Sequence, residues 1–476
     1  MNALSLQNYY RMFMPWQTLC RLLLLPADYR TSAGFAIRSL RFREFAMSYP
    51  DRRRPQSTDL IMQRYQTFYS RDEEQVAGAA SRLATHMVRN CPLRIDIGAE
   101  WNAEPEMRAL QLQLEPFKRE LVFDIDATDY TERECPCSTA GSTQRLCQHC
   151  WQFIAAAVTT LDFLLRARFG YQDLLWVFSG GRGVHCWVLD ASVLLLDKAD
   201  RTLIVEFFAQ QANCRKTPQR LDAPYLAQLY TDILQPRFER MLDSGLIDLG
   251  KEANRQIIAE CMNNTGAATL LNQVLLPQRL VQSGQHVWER CKKTLATETL
   301  LRIAFTFAFP RLDAGVSTNP AHLIRAPLSV HQGTGNICVV LEPGRVDEFR
   351  LEAVPNIRTG VGLDGLPAHC ALFERGSLPR RSYAHWLVCR LCASEQPAQA
   401  LVASLLERRM LFYEDVQAWT EHMSAQHSAV LPDAPEDSTL GSVFALHALD
   451  LQHWTENSQL KEDLYRQVEA YFSVAT

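Results

Sequence analysis

Long apolar runs are missing from the first part of this 476-residue chain. The longest early one, Leu22–Leu25, falls far short of the roughly 20 residues that a helix needs to cross a bilayer. No apolar leader is read at the N-terminus, and no basic targeting run beyond the short DRRRP (Asp51–Pro55), so the expectation is a soluble, intracellular protein. A strong excess of either charge is missing too. Lys and Arg number 49 against 53 Asp and Glu, for a net charge of −4 and a pI near 6.3. That balance excludes a protein that coats nucleic acid by general basicity, and it leaves room for a local basic channel. Internal repeats are absent as well. What the chain does have is cysteine, 14 in all. Without a secretory leader, clustered cysteines point to metal ligation in a reducing compartment rather than to disulfides. A composition of 47% hydrophobic and 21% charged residues is ordinary for a globular chain of two or three domains.

Periodicity divides the chain. Residues 5–25 read as helical, with Tyr9, Tyr10 and Phe13 on the apolar face and a break at Pro15. The basic stretch Arg38–Arg64, with RFREF and DRRRP, reads as irregular, either a phosphate-facing surface or a solvated loop. PLRIDIG (Pro92–Gly98) and LVFDID (Leu121–Asp126) read as strands. Trp151, Ile154, Val158, Leu161 and Leu165 recur at helical spacing, with Gly170 placed to end the helix. Two more strands, LLWVFS and VHCWVLD, are joined through Gly180, Gly181 and Gly183. From about Val193 to Ala304 the pattern is helical, an insertion into an α/β core that returns at FAFPRLDAGV and NICVVLEP. An acidic, proline-containing linker follows at Leu431–Gly441.

The chemistry begins with Asp124 and Asp126. In a strand, residues two apart point to one face, so LVFDID sets two carboxylates side by side in an apolar run. Their repulsion is relieved by a cation between them, and a pair of divalent ions there would suit phosphoryl chemistry. A strand end that caps a turn or pairs with arginines is the other reading. The loop SGGRGVH (Ser179–His185) has three glycines that admit close backbone approach, with Arg182 and His185 as phosphate donors, although a plain hairpin turn has the same look. Asp313 follows an apolar run and is expected at another strand end, where it would complete a three-carboxylate site. HLIRAPLSVHQGTG adds Arg325, Ser329 and His331 beside a glycine-rich turn, and both donor clusters suit a triphosphate.

Cys135-Pro-Cys137 and Cys147-Gln-His-Cys150 are two close pairs, and four thiolates so grouped suit a structural tetrahedral zinc, with His149 as the alternative to a fourth cysteine. Cys389 and Cys392, with Cys370 and His369 nearby, pair at no familiar spacing and are taken as core residues.

Together these motifs, ELVFDIDATDY, the cysteine insert ending in CQHCW, FGYQDLLWVFSGGRGVHCWVLD, FPRLDAGVS and HLIRAPLSVH, resemble the catalytic (small) subunit of the archaeal and eukaryotic DNA primase. YYRMFMP, FREF, RYQTF and RIDIGAEW extend the resemblance over roughly Asn8 to Phe349, with the order of motifs kept. It implies a mixed α/β primase core (1–190 and 301–350, zinc motif 135–150), an inserted helical subdomain (191–300) and a divergent, mainly helical C-terminal region (351–476). It implies that Asp124, Asp126 and Asp313 hold Mg²⁺ or Mn²⁺, and that Arg64, Ser179, Arg182, His185, Arg325 and His331 bind the nucleotide. It further implies that Glu44 neighbours the active site and that Cys135, Cys137, Cys147 and Cys150 hold a structural Zn²⁺. The implied activity is synthesis of short RNA primers on single-stranded DNA from ribonucleoside triphosphates. The implied partners are a large primase subunit and the DNA polymerase alpha complex, and the implied place is the nucleus. A primase-polymerase that uses deoxynucleotides and an inactive zinc-stabilised scaffold are the alternatives. Two features depart from the family: Gly181 stands where animal members often carry a second arginine, and the interval from Cys137 to Cys147 is longer than usual.

Overall fold

The computed structural model describes residues 3–23, 40–51, 53, 60–68, 76–110, 114–139, 146–194, 196–213, 224–262 and 284–376. The expectations for Cys389, Cys392 and the linker Leu431–Gly441 fall outside the described residues.

The first apolar segment forms α1 (Ala3–Met12) and α2 (Trp16–Leu23), separated at Pro15, and both pack on α3 (Val76–Asn90). Next to them lies a five-stranded antiparallel sheet. Its order is β2 (Leu60–Gln66), β1 (Arg43–Pro50), β3 (Arg94–Trp101) and β4 (Pro116–Lys118), with β8 (Ile324–Arg325) also paired to β3. Here the reading of residues 38–64 as irregular is corrected, because Arg43–Phe45 of FREF lie in β1 and RYQ lies in β2. Charges disguise the strand in the sequence: Arg43 and Glu44 are fully buried, each in an ion pair, so the apolar alternation of a strand is missing.

A second antiparallel sheet has the order β5 (Leu121–Asp126), β7 (Gly183–Val188), β6 (Leu174–Phe178) and β9 (Val340–Leu341). Buried charges join the two sheets at Arg119 and Glu120, just ahead of β5. The Glu120 carboxylate pairs with Arg43 of β1, and the Arg119 guanidinium donates to the carbonyls of Ile97 (3.2 Å) and Gly98 (2.7 Å) in β3. Arg201 in turn donates to the carbonyls of Arg119 (2.6 Å) and Glu120 (3.1 Å). Buried backbone carbonyls of β3 and of the Arg119–Glu120 link thus receive guanidinium donors. The α4 helix (Trp151–Ala167) packs on β5 and β7 and buries Trp151, Ile154, Val158, Leu161 and Leu165, the residues its spacing marked.

From Lys198 to Ala308 every described secondary-structure element is helical: α5 (Lys198–Ala212), Pro224–Gln228 continuing through a π-turn at Leu229–Leu234 into α6 (Gln235–Asp243), α7 (Glu252–Cys261), α8 (Gly284–Thr294) and α9 (Thr297–Ala308). Phe238 is central to their packing, edge-on to Trp288 at 4.9 Å and stacked on Phe307 at 6.0 Å. The apolar run before Asp313 is therefore helical and not the return of a strand. Short apolar runs do not separate a buried strand from a buried helix, and α9 is buried from Leu300 to Ala308. The chain is mixed α/β, and its described residues form two antiparallel sheets with helices between β7 and β8.

Candidate active site

Three segments converge on Asp124. In β5, Leu121, Phe123 and Ile125 are fully buried on one side, which leaves Asp124 and Asp126 on the other, each partly exposed at the strand's C-terminal end. Across the ladder Asp124 faces His185 and Asp126 faces Gly183. Only glycine fits at 183, since a Cβ there would lie 1.9 Å from the carbonyl oxygen of Ile125. This close approach delivers Arg182 to Asp126, where its guanidinium donates to the carboxylate at 3.1 Å, and it sets His185 Nε2 3.7 Å from Asp124.

Asp313 arrives from the other direction. It caps α10 (Ala314–Thr318), its carboxylate accepting from the N–H of Gly315 at 2.9 Å, and its own N–H donates to the carbonyl of Asp124 at 3.0 Å. Ser317 adds a second tie, its hydroxyl donating to the carbonyl of Val122 at 2.8 Å. Asp313 thus joins the pair from a helix N-terminus and not, as expected, from a strand end.

The electrostatics of this corner are unbalanced. Burial, followed by the charges of Asp126 and Asp313, pushes the Asp124 carboxyl up to about 6. Asp129 is raised as well, first by burial and then by Asp126, Asp124 and Asp313. Hard carboxylate oxygens gathered so that neighbouring charges raise Asp124 and Asp129 fit a divalent cation such as Mg²⁺ or Mn²⁺. Among the described residues, however, only the four cysteines bring three or more ligand atoms within 4.8 Å of one another, so the three carboxylates stand more openly spaced.

Around Asp124 and Asp126 is a cleft of about 470 Å³, lined also by Arg94, Ser179, Arg182, His185, Arg325 and His331, among others. Arg182 and His185 of one donor cluster and Arg325 and His331 of the other therefore face one space. Ser179 shapes the β6–β7 turn, its hydroxyl oxygen accepting from the N–H of Gly183 at 3.2 Å. Ser329 is buried away from the cleft, donating to the carbonyl of Ala326 at 2.7 Å. His185 and His331 are both depressed to about 3, by burial and then by the charge of Arg325, so both are neutral near pH 7. The ring of His331 sits where a side chain at position 181 would go, 3.0 Å from the Cβ that Gly181 lacks.

Three expected residues lie apart from the cleft lining: Asp313, which is tied to the Asp124 backbone, and the pair Glu44 and Arg64. Glu44 is buried in β1 and accepts from Arg64 Nε (2.8 Å), Arg64 Nη2 (3.2 Å) and Trp101 Nε1 (3.1 Å), which commits Arg64 to this ion pair. Conversely, Arg94, His322 and Thr334 line the cleft without having been singled out in the sequence. Each stands within a stretch already noted, RIDIG or HLIRAPLSVHQGTG, so the signal was present and only the individual residue was missed.

Away from the cleft the thiols of Cys135, Cys137, Cys147 and Cys150 gather with all sulfurs within 4.8 Å, at 3.5 Å for Cys135–Cys147 and 3.3 Å for Cys137–Cys150. Zinc–thiolate bonds of about 2.3 Å imply tetrahedral edges of about 3.8 Å, which these separations approach. His149 is exposed and outside the cluster. Cys370 donates to the carbonyl of Phe13 and joins no metal-type group among the described residues. No helix among the described residues is long and apolar enough to cross a membrane.

Comparison with known proteins agrees with the motifs. The family model described as DNA primase small subunit matches residues 123–343. The DNA primase small subunit of Schizosaccharomyces pombe is 27% identical over 376 residues, 74% of this chain and 75% of that protein. The Drosophila melanogaster protein of the same name is 32% identical over 293 residues, covering 56% and 65%. That of Caenorhabditis elegans is 30% identical over 290 residues, covering 56% and 70%. From the matched span and these relatives, the chain belongs to the DNA primase small subunit family.

Proposed function

We propose that this chain is the catalytic subunit of a DNA primase, which joins ribonucleotides into short RNA primers on a single-stranded DNA template. The observation that carries the reading is the meeting of Asp124, Asp126 and Asp313 beside a cleft lined by Arg182, Arg325, His185 and His331. Negative charge that needs a cation lies next to positive charge that needs an anion, which is the arrangement a metal–triphosphate complex satisfies. Asp124, Asp126 and Asp313 would hold Mg²⁺ or Mn²⁺, which supplies activation of the attacking 3′-hydroxyl and neutralisation of the phosphates. Arg182 and Arg325 would bind phosphate oxygens, Arg182 giving up its contact with Asp126 in part. His185 and His331, neutral at the working pH, would donate hydrogen bonds to phosphate or sugar oxygens.

The other parts of the proposal follow the family. Residues 1–190 and 301–350 would act as the catalytic core, 191–300 as a helical subdomain, and 351–476 as a divergent region. The four thiolates would hold a structural Zn²⁺. Arg64 would reach the nucleotide only by leaving Glu44, and Glu44 would act as its anchor near the site. A large subunit and the DNA polymerase alpha complex are the proposed partners, and the nucleus the proposed location.

The test is RNA synthesis by the purified chain on single-stranded DNA with Mn²⁺, with and without an annealed RNA primer. Short RNA products, or extension of the annealed primer by ribonucleotides, are expected. Incorporation of deoxynucleotides alone would favour a primase-polymerase, and no synthesis on either template would overturn the reading.

A further inference from the structure

The turn that follows the matched span, Pro355–Val361, is knitted into the cleft. Asn356 is buried, and its Nδ2 donates to the carbonyl of Thr334 (3.1 Å) and to Oδ1 of Asn336 (2.6 Å), while its Oδ1 accepts from the N–H groups of Arg358 (2.9 Å) and Thr359 (3.1 Å). Both of its partners reach the cleft loops. Thr334 donates from its N–H to Nδ1 of His331 (3.1 Å) and from its hydroxyl to the carbonyl of Gly180 (2.6 Å), and Asn336 Nδ2 donates to the same carbonyl (3.1 Å). Backbone bonds reinforce the joint, from Ile357 N–H to the carbonyl of Gly335 (3.0 Å) and from Ile337 N–H to that of Pro355 (2.8 Å). Arg358 adds its guanidinium to the carbonyls of Gln332 and Gly333.

These contacts have a chemical consequence at His331. With Nδ1 taken as an acceptor by the N–H of Thr334, the proton of the neutral ring resides on Nε2, the atom that lies against Gly181. One ring orientation and one tautomer are thereby selected, and the Thr334 and Asn336 bonds to Gly180 tie that ring to the loop that carries Arg182.

We infer that Asn356 is a positioning residue for nucleotide binding: through Thr334 and Asn336 it locks the His331 turn to the Ser179–Gly183 loop, so that His331 Nε2–H and Arg182 present to one triphosphate together. The inference rests on the proposed nucleotide site. It gives residues beyond the family match a role in that site, on bonds that can be cut singly.

Asn356→Asp is the variant that separates this role from general stability. It keeps the shape and the Oδ1 acceptor for Arg358 and Thr359, and it replaces the Nδ2 donor with an acceptor facing the Thr334 carbonyl and Asn336 Oδ1. Thr359→Ala is the control, because its hydroxyl only accepts from the N–H of Val361 within the same turn. Binding of GTP with Mn²⁺ is measured by titration calorimetry on the full chain, beside KM and kcat for ribonucleotide extension of an annealed primer and the melting temperature of each variant. The expected result is an affinity loss and a KM rise of about tenfold for Asn356→Asp with kcat changed far less, and wild-type binding for Thr359→Ala. Equal affinities for wild type and Asn356→Asp, or equal losses in both variants, would overturn the inference and leave the proposed function standing. No metal-dependent GTP binding by the wild type would overturn both.

Discussion

The backbone N–H of Asp313 donates to the backbone carbonyl of Asp124 at 3.0 Å, across nearly two hundred residues of chain. Asp124 lies near the end of edge strand β5 and Asp313 caps a short helix, so this bond fixes the spacing of two carboxylates from unrelated elements without involving either side chain. Function can therefore be removed while the joint is kept.

Asp313→Asn retains an acceptor for the Gly315 N–H and retains the bond to Asp124, and it loses only the charge. Nucleotidyl transfer should fall by about 10²-fold or more, with a melting temperature close to that of the wild type. A steady-state assay of primer extension beside a thermal melt checks both halves of the statement.

Asp124 supplies the opposite sign. Its carboxyl is raised to about 6, so near neutral pH its ionised form opposes folding in the absence of a cation. Asp124→Asn should melt higher than the wild type in metal-free buffer while losing activity, and the gain should shrink when Mg²⁺ or Mn²⁺ is added. Melting with and without a chelator reads this out.

Much of this site was legible in the sequence, for reasons that differ from residue to residue. Asp124 and Asp126 could be placed because strand periodicity is two and the surrounding run is strongly apolar. Arg182, His185 and His331 could be grouped because each lies within two residues of a glycine in a glycine-rich turn, and Arg325 because it stands just ahead of the second of these turns. The element that carries Asp313 could not be read, since a buried helix and a buried strand present the same apolar run. Nor could β1, where Arg43 and Glu44 are buried only because Glu120 and Arg64 come from distant segments to pair with them. Asn356 has no local signature at all; its role depends on what the fold places beside it.

Glu120 governs the acid side of stability. Burial alone would raise its carboxyl, but Arg43 and then Arg119 outweigh burial and hold it below the usual glutamate range. A carboxyl depressed in the folded state stabilises the fold above its unfolded value of about 4.3, and that contribution is lost as pH falls through the folded value. The melting temperature should therefore drop below about pH 4.3. Glu120→Gln should flatten this acid limb and cost about 3–5 kcal/mol at neutral pH, because Arg43 and Arg119 lose their buried counter-charge. Denaturant melts taken at neutral pH and down to about pH 3 provide the comparison.

The cysteine cluster predicts bound metal. Purified protein should carry about one equivalent of zinc, and Cys147→Ser should reduce it and lower the melting temperature. Burial raises the Cys150 thiol, and Cys137 and Cys135 raise it further, so this thiol resists ionisation without metal and zinc uptake should release its proton. Elemental analysis and a pH-sensitive dye follow the two effects.

The central claim is that the aspartates and the two donor loops form one metal-dependent nucleotide site, and calorimetric titration of a ribonucleoside triphosphate tests it most directly. Wild-type protein with Mn²⁺ should bind, and chelation of the metal or the double variant Asp124→Asn/Asp126→Asn should abolish that binding without loss of the fold. Triphosphate binding of equal strength in the double variant, or with the metal removed, would contradict the account.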